Sequence, residues 1–312
     1  MSVDGETMIE YTRTKTPLLD IQNVSLSFGK KLILRDVNAT ITEVTRKDAV
    51  PGQVICFLGP SGIGKTQLSK IIAGLQQPSA GRVLLPNGQA YSASGEAVSR
   101  SDDRAVRLFD TETRPGKVGM VPQNYPLFDF TTVLGNLRIA GAQSNLPAAQ
   151  VQERMDNFIR VFGLADYLKM YPDELSGGTK QRVAIARQMM CAGHYLLMDE
   201  PFSGLDPIMK AATSEAITAM ASLDPLNTII IVTHDISEGL SVADTVWLMG
   251  YDPAPNGVNP VTGASARFLP GARLVEQHDL AAMGLCWQPD IQSDPTFQAF
   301  VAQIKARFKT LK

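Results

Sequence analysis

The sequence predicts an α/β protein with a mainly parallel sheet at its core. Three strand-length runs of nearly unbroken apolar character carry that prediction: Val54 to Leu58, Tyr195 to Met198 and Thr228 to Val232. Such runs fit strands buried on both faces of a parallel sheet better than half-solvated antiparallel strands. Segments of helical spacing lie between them, and strands alternating with helices imply a doubly wound arrangement. The first run also leads straight into a glycine-rich loop and then a helical pattern.

The elements can be justified in chain order. Residues 1–17 mix acids, Thr and Lys without an apolar stretch, which reads as a flexible tail and not as a secretory signal. Leu18 to Val24 and Ser27 to Leu34 read as short strands with Gly29-Lys30-Lys31 as the turn between them. Lys65 to Ala73 has helical spacing through Leu68, Ile71 and Ile72, and Gly74 follows where a left-handed cap belongs. Residues 86–117, rich in Ser, Gly, Asp and Arg, read as an elaborated loop or a small β excursion.

From Thr131 to Leu175 the pattern turns helical. Val151, Met155, Phe158, Ile159 and Phe162 form one apolar stripe, preceded by Asn145 and Pro147 and closed by Gly163, which is the signature of core packing. Thr245 to Met249 is a further candidate strand. Beyond Gly250 the residues Pro253, Pro255, Gly257, Pro260 and Gly263 mark a loop. A last helix is expected from Asp294-Pro295, with Phe297, Phe300, Val301, Ile304 and Phe308 on its apolar face and Lys305, Arg307, Lys309 and Lys312 at its C-terminal dipole end.

Composition narrows the function classes. A chain of 312 residues, 44% hydrophobic and 19% charged, has ample material for a buried core. The 29 basic residues are balanced by 31 acidic ones, a net charge of -2, which argues against a broad nucleic-acid surface. No run approaches the roughly 20 apolar residues that a membrane helix needs. The 3 cysteines, Cys56, Cys191 and Cys286, are far apart in apolar surroundings and read as buried thiols.

The residues that carry chemistry lie in a few places. Gly59-Pro60-Ser61-Gly62-Ile63-Gly64-Lys65-Thr66 fits the phosphate-loop pattern throughout. Its glycines let backbone N–H groups wrap a β-phosphate, and the following helix N-terminus adds partial positive charge. Lys65 can reach β- and γ-phosphate oxygens, and the Thr66 hydroxyl can coordinate Mg²⁺. Asp199 is expected to end its strand at the carboxyl edge, where ligands bind in open α/β sheets and where a carboxylate can hold the metal. Glu200 follows immediately and should point elsewhere, so that one acid serves the metal and the other serves water.

The run Leu175-Ser176-Gly177-Gly178-Thr179-Lys180-Gln181-Arg182 makes the reading specific, because it precedes Leu196-Leu197-Met198-Asp199-Glu200-Pro201 and then Ser203-Gly204-Leu205-Asp206. That order, with Val121-Pro122-Gln123 upstream and Thr233-His234-Asp235 downstream, resembles the ABC ATPase family over residues 18–250. The resemblance implies a P-loop NTPase cassette with a parallel core, an antiparallel β subdomain and a helical subdomain at about 125–190, followed by an extension over 251–312. It implies that Glu200 is the general base, that His234 contacts the γ-phosphate, and that Gln123 senses metal and water and links to the helical subdomain.

Lys65 would complete the catalytic set, with Thr66, Gln123 and Asp199 around Mg²⁺. ATP would lie along Gly59 to Thr66 and the adjoining Gln67. Phe28 stands where an aromatic stacks on adenine, although an aromatic between two strands is also commonly core. Ser176, Gly177 and Gly178 would clamp the ATP held by another protomer, with Gln181 in support and Asp206 communicating across the dimer. Tyr125 to Val133 reads equally as a partner-binding groove or as core.

Three positions depart from the family pattern: Gln67, Gly239, which should loosen its helix, and the long segment 86–117. The function implied is a cytoplasmic ATP-hydrolysing subunit, peripheral on the inner face of the cell membrane. It would act as a homodimer or paired ATPase with separate permease subunits and a solute-binding protein, without nucleic acid. The alternative is a soluble ATPase of translation, DNA repair or cluster assembly.

Overall fold

The structure, a computed structural model, describes residues 11–46, 52–85, 111–112, 117–144, 146–191, 194–224, 227–260, 262–288 and 290–312. At the centre of the larger sheet, β3 (Gln53–Leu58) is buried along its whole length. It pairs in parallel with β8 (Thr228–Thr233) on one side and β9 (Thr245–Gly250) on the other. β7 (Tyr195–Asp199) and then β6 (Gly119–Val121) extend the parallel ladder beyond β8. β10 (Arg273–Asp279) closes the opposite edge antiparallel to β9, so the strand order is β10-β9-β3-β8-β7-β6.

Side chains leave these strands alternately to two cores. Val54, Cys56, Leu58, Met198 and Ile231 join one, while Ile55, Phe57, Leu197, Val232 and Trp247 join the other. The first core is covered by α2 (Val133–Ala142), α3 (Ala148–Val161), α4 (Gly177–Cys191), α5 (Pro207–Ala221), α6 (Ile236–Val242) and α7 (Pro295–Phe308). The second is covered by α1 (Lys65–Ile72) and by an antiparallel sheet. Coverage of both faces is why the strands are apolar without a break.

That antiparallel sheet comprises β1 (Tyr11–Phe28), β2 (Lys31–Arg46), β4 (Ala80–Leu85) and β5 (Thr111–Glu112) in the order β2-β1-β4-β5. Ala272 stitches the two sheets together: its carbonyl accepts from Arg35 N–H at 2.9 Å and its N–H donates to Ile33 O at 2.9 Å.

Several expectations need revision. The hairpin turns at Gly29-Lys30 as expected, but β1 starts at Tyr11, inside the segment read as a tail. Arg13 fixes it by donating to Asp279 at 2.6 Å, and the Tyr11 ring packs edge-on against Trp287 at 5.7 Å. The extension 251–312 shares the cassette's core, since β10 lengthens the main sheet and Phe297, Phe300, Val301 and Ile304 of α7 are buried in the first core. Cys56 and Cys286 are buried, but Cys191 is exposed at the last turn of α4. Of residues 86–117, only 111–112 and 117 are among those described. Neither β6 nor β10 was anticipated. Among the described residues, no helix is long and apolar enough to cross a membrane.

Candidate active site at the carboxyl edge of the parallel sheet

Strand register assembles the site. Leu58 lies beside Thr233, and Asp199 beside Val232. The residues that follow these ends, Gly59, His234 and Glu200, therefore emerge together at one edge. Gly59 N–H donates to Thr233 O at 3.3 Å, which starts the phosphate loop from the sheet itself. The loop closes at Gly64, which caps α1 with φ of 104° and without any side-chain cap bond. A Cβ there would lie 2.9 Å from Ile33 Cγ2, so the loop runs against the β1–β2 hairpin that bears Phe28. With no side chain satisfying them, the first N–H groups of α1 are available to an anion.

Lys65 is 6% exposed and donates to Gly59 O at 2.9 Å and Pro60 O at 3.2 Å. Its ammonium also lies 3.3 Å from Glu200 Oε1. The other carboxylate oxygen of Glu200 accepts from Thr233 Oγ1 at 2.9 Å and His234 N at 3.3 Å, and lies 2.8 Å from His234 Nδ1. Burial alone would push the Glu200 carboxyl up, but His234, the Lys65 charge and Thr233 together hold it below the ordinary glutamate value. Lys210 Nζ donates to Asp235 at 2.5 Å, and Asp235 caps α6, which steadies the turn carrying His234.

Asp199 faces the other way. It is 5% exposed, hydrogen-bonded by Thr66, and its Oδ1 has no hydrogen-bond partner. Burial, followed by the nearby Glu200 charge, pushes its carboxyl up against the opposing Thr66 bond. An orphaned buried oxygen beside a threonine hydroxyl is a hard-oxygen pair suited to Mg²⁺, which needs only one or two protein carboxylates when phosphates complete its shell.

The other expected residues fall in three places. Phe28 is half-exposed at the hairpin tip. Gln123 is exposed and donates to Ser203 Oγ at 3.0 Å, so it meets the turn after Glu200. Ser176 stands before α4 and accepts from Thr179 N at 3.2 Å; Gly177 is open, and Gly178 is pressed on Met209, whose Cε would lie 1.6 Å from an added Cβ. Among the described residues, no hydrogen bond or ion pair joins Ser176, Gly177 or Gly178 to the phosphate loop.

Gln181 is buried and bridges Pro201 O at 3.1 Å and Thr213 Oγ1 at 3.2 Å. Asp206 caps α5 through Met209 N at 3.0 Å. The segment Tyr125 to Val133 is divided: Tyr125 donates to Pro201 O at 2.9 Å, whereas Phe128 and Phe130 are 37% and 76% exposed. Arg187 lies over the Phe128 ring at 4.7 Å. The sequence reading missed Thr233 as a Glu200 ligand, Ser203 as the Gln123 partner, and Lys312.

The family model described as ABC transporter matches residues 45–203. A putative 2-aminoethylphosphonate import ATP-binding protein of Salmonella typhimurium is 32% identical over 73% of this chain and 55% of its own length. An Fe(3+) ions import ATP-binding protein of Pectobacterium atrosepticum is 35% identical over 74% of this chain and 60% of its own. The chain thus spans little more than half the length of these relatives.

Among solved structures, cbiO1 of Clostridium perfringens, part of the ABC transporter complex cbiONQ, shares the fold at a TM-score of 0.63 and 21% identity, covering 95% of this chain and all of that one. A dimeric ATP-binding cassette bound to ADP and Pi gives 0.57 at 22% identity over 84% of this chain and 99% of its own. With the model match extending over half its residues, this chain belongs to the ABC transporter family.

Proposed function

We propose that this chain hydrolyses ATP and uses the cycle to drive a solute across a membrane through separate permease subunits. One observation carries the reading: an ionised Glu200 held between Lys65 at 3.3 Å and His234 at 2.8 Å beside an anion-binding loop. The triphosphate lies on the α1 N-terminus and takes over the Lys65 ammonium from the Gly59 and Pro60 carbonyls. Thr66 and Asp199, with Gln123, would hold Mg²⁺, which would supply charge neutralisation for the transferred phosphoryl group. Glu200 accepts the proton of the attacking water, and His234 orients that carboxylate through Nδ1 and faces the γ-phosphate. Phe28 stacks on the adenine.

Among the described residues, Ser176, Gly177 and Gly178 have no bond to their own phosphate loop, which supports a site completed by a second ATPase subunit across a head-to-tail pair. The import proteins that this chain resembles favour transport over a soluble role. Phe128 and Phe130 offer an apolar face to a permease, on the inner side of the membrane, with a solute-binding protein supplying cargo.

Phosphate release by the purified chain tests the reading. Glu200→Gln should lower steady-state turnover about 100-fold or more while ATP still binds, since a general base contributes on that order. Unchanged turnover in that variant would remove Glu200 as the base.

A further inference from the structure

The phosphate loop is held by two ammonium groups rather than one. Lys65 Nζ takes the Gly59 and Pro60 carbonyls, and the next carbonyl along, that of Ser61, accepts from Lys312 Nζ at 2.6 Å. Lys312 is 251 residues away in sequence, yet it is delivered by an ordered anchor. Leu311 is 0% exposed, and its carbonyl accepts from Tyr251 N–H at 3.0 Å. It packs so tightly on Gly250, the end of β9, that a Cβ on that glycine would lie 2.7 Å from Leu311 Cδ2. From there the ammonium reaches the apex of the loop, 3.5 Å from where a Cβ on Gly62 would stand.

We propose that Lys312 is a positioning residue of the phosphate loop, fixing the Ser61–Gly62 peptide so that Gly62 N–H is turned towards bound phosphate. In a trans peptide the N–H points opposite to the C=O, and no cis bond occurs among the described residues. A Ser61 carbonyl held by Lys312 therefore sends the Gly62 N–H to the side of the chain away from Lys312. Gly62, at φ of 82°, has no side chain to resist rotation of that peptide, so an external bond is what selects its orientation. A charge-assisted bond suits the task, being stronger than a neutral one. Among the described residues no carboxylate pairs with Lys312, so its charge also adds to the field at the anion site.

This inference rests on the nucleotide-binding reading above. Lys312→Met keeps the stem and removes the ammonium, and Lys312→Arg keeps the charge. The measurements are the melting temperature without nucleotide, the dissociation constants of ATP and ADP, and KM against kcat. Lys312→Met should melt within about 3 °C of the unaltered chain without nucleotide, yet bind both nucleotides about five-fold more weakly, as expected for one solvent-exposed charged hydrogen bond. KM should rise in step while kcat stays within about two-fold, and Lys312→Arg should recover most of the affinity.

Equal affinity in Lys312→Met and the unaltered chain overturns the role, as does weaker binding accompanied by a melting temperature without nucleotide that falls by about 5 °C or more. If the unaltered chain binds no nucleotide, the ATPase reading falls and this inference with it. Binding by the unaltered chain and equally by Lys312→Met removes Lys312 alone.

Discussion

Glu200 sits in the left-handed region at φ of 53°, a conformation that a non-glycine residue keeps only when its surroundings impose it. Here Glu200 N–H donates to Val232 O at 2.7 Å, and its carbonyl accepts from Ser203 N–H at 3.2 Å. The twist separates two adjacent carboxylates, sending Asp199 to Thr66 and Glu200 to His234. Because the Glu200 carboxyl is held low, its ionised form persists as pH falls, and the acid limb of kcat/KM should lie below the ordinary glutamate range. Thr233→Val removes one donor to the ionised form, so the limb should move up by about 1 pH unit, the equivalent of one such bond. A pH–rate profile that does not move would rule out Thr233 as a determinant. Glu200 and His234 were legible as motif positions. Thr233 was not, because its hydroxyl reaches Glu200 only through the Asp199–Val232 pairing of β7 and β8, which no local pattern encodes.

At the scale of elements, the buried parallel strands were readable because burial on both faces writes itself as a continuous apolar run. β6 has only Gly119, Met120 and Val121, too few residues to show a period. β10 is a half-exposed edge strand whose Arg273, Glu276 and Asp279 interrupt any apolar run. Gly239 has a packing role that helix propensity does not show: it lets α6 lie against β3, since a Cβ there would stand 2.9 Å from Cys56 Sγ and 3.1 Å from Leu58 Cδ2. Helix propensity alone favours alanine by about 1 kcal/mol. Overpacking reverses the sign, and Gly239→Ala should destabilise the chain by about 1–3 kcal/mol in urea unfolding. Adding Cys56→Ala should make the pair less damaging than the sum of the single changes, by about 1 kcal/mol. A Gly239→Ala chain more stable than the parent would contradict the packing argument.

For the whole molecule, the sheet end opposite the site holds a buried carboxyl. Asp244 is 0% exposed; its Oδ2 accepts from Val54 N–H at 2.8 Å, and its Oδ1 has no hydrogen-bond partner. Burial pushes its pKa from 3.8 to about 7, against the Val54 bond and the charge of Arg13. The folded state therefore binds a proton that the unfolded chain releases. This contribution to stability is fully present below 3.8 and is lost as pH rises to about 7. Unfolding midpoints should accordingly drop across that window, and Asp244→Asn should flatten the decline; an unchanged slope would assign it to other groups. Gln181 has a mechanical consequence. It ties the first turns of α4 to Pro201, immediately after Glu200, and to Thr213 of α5. The helix headed by Ser176 is thus tied to the turn after Glu200, and under the proposed pairing of ATPase subunits a displacement of its tip would reach the Glu200 backbone through Gln181.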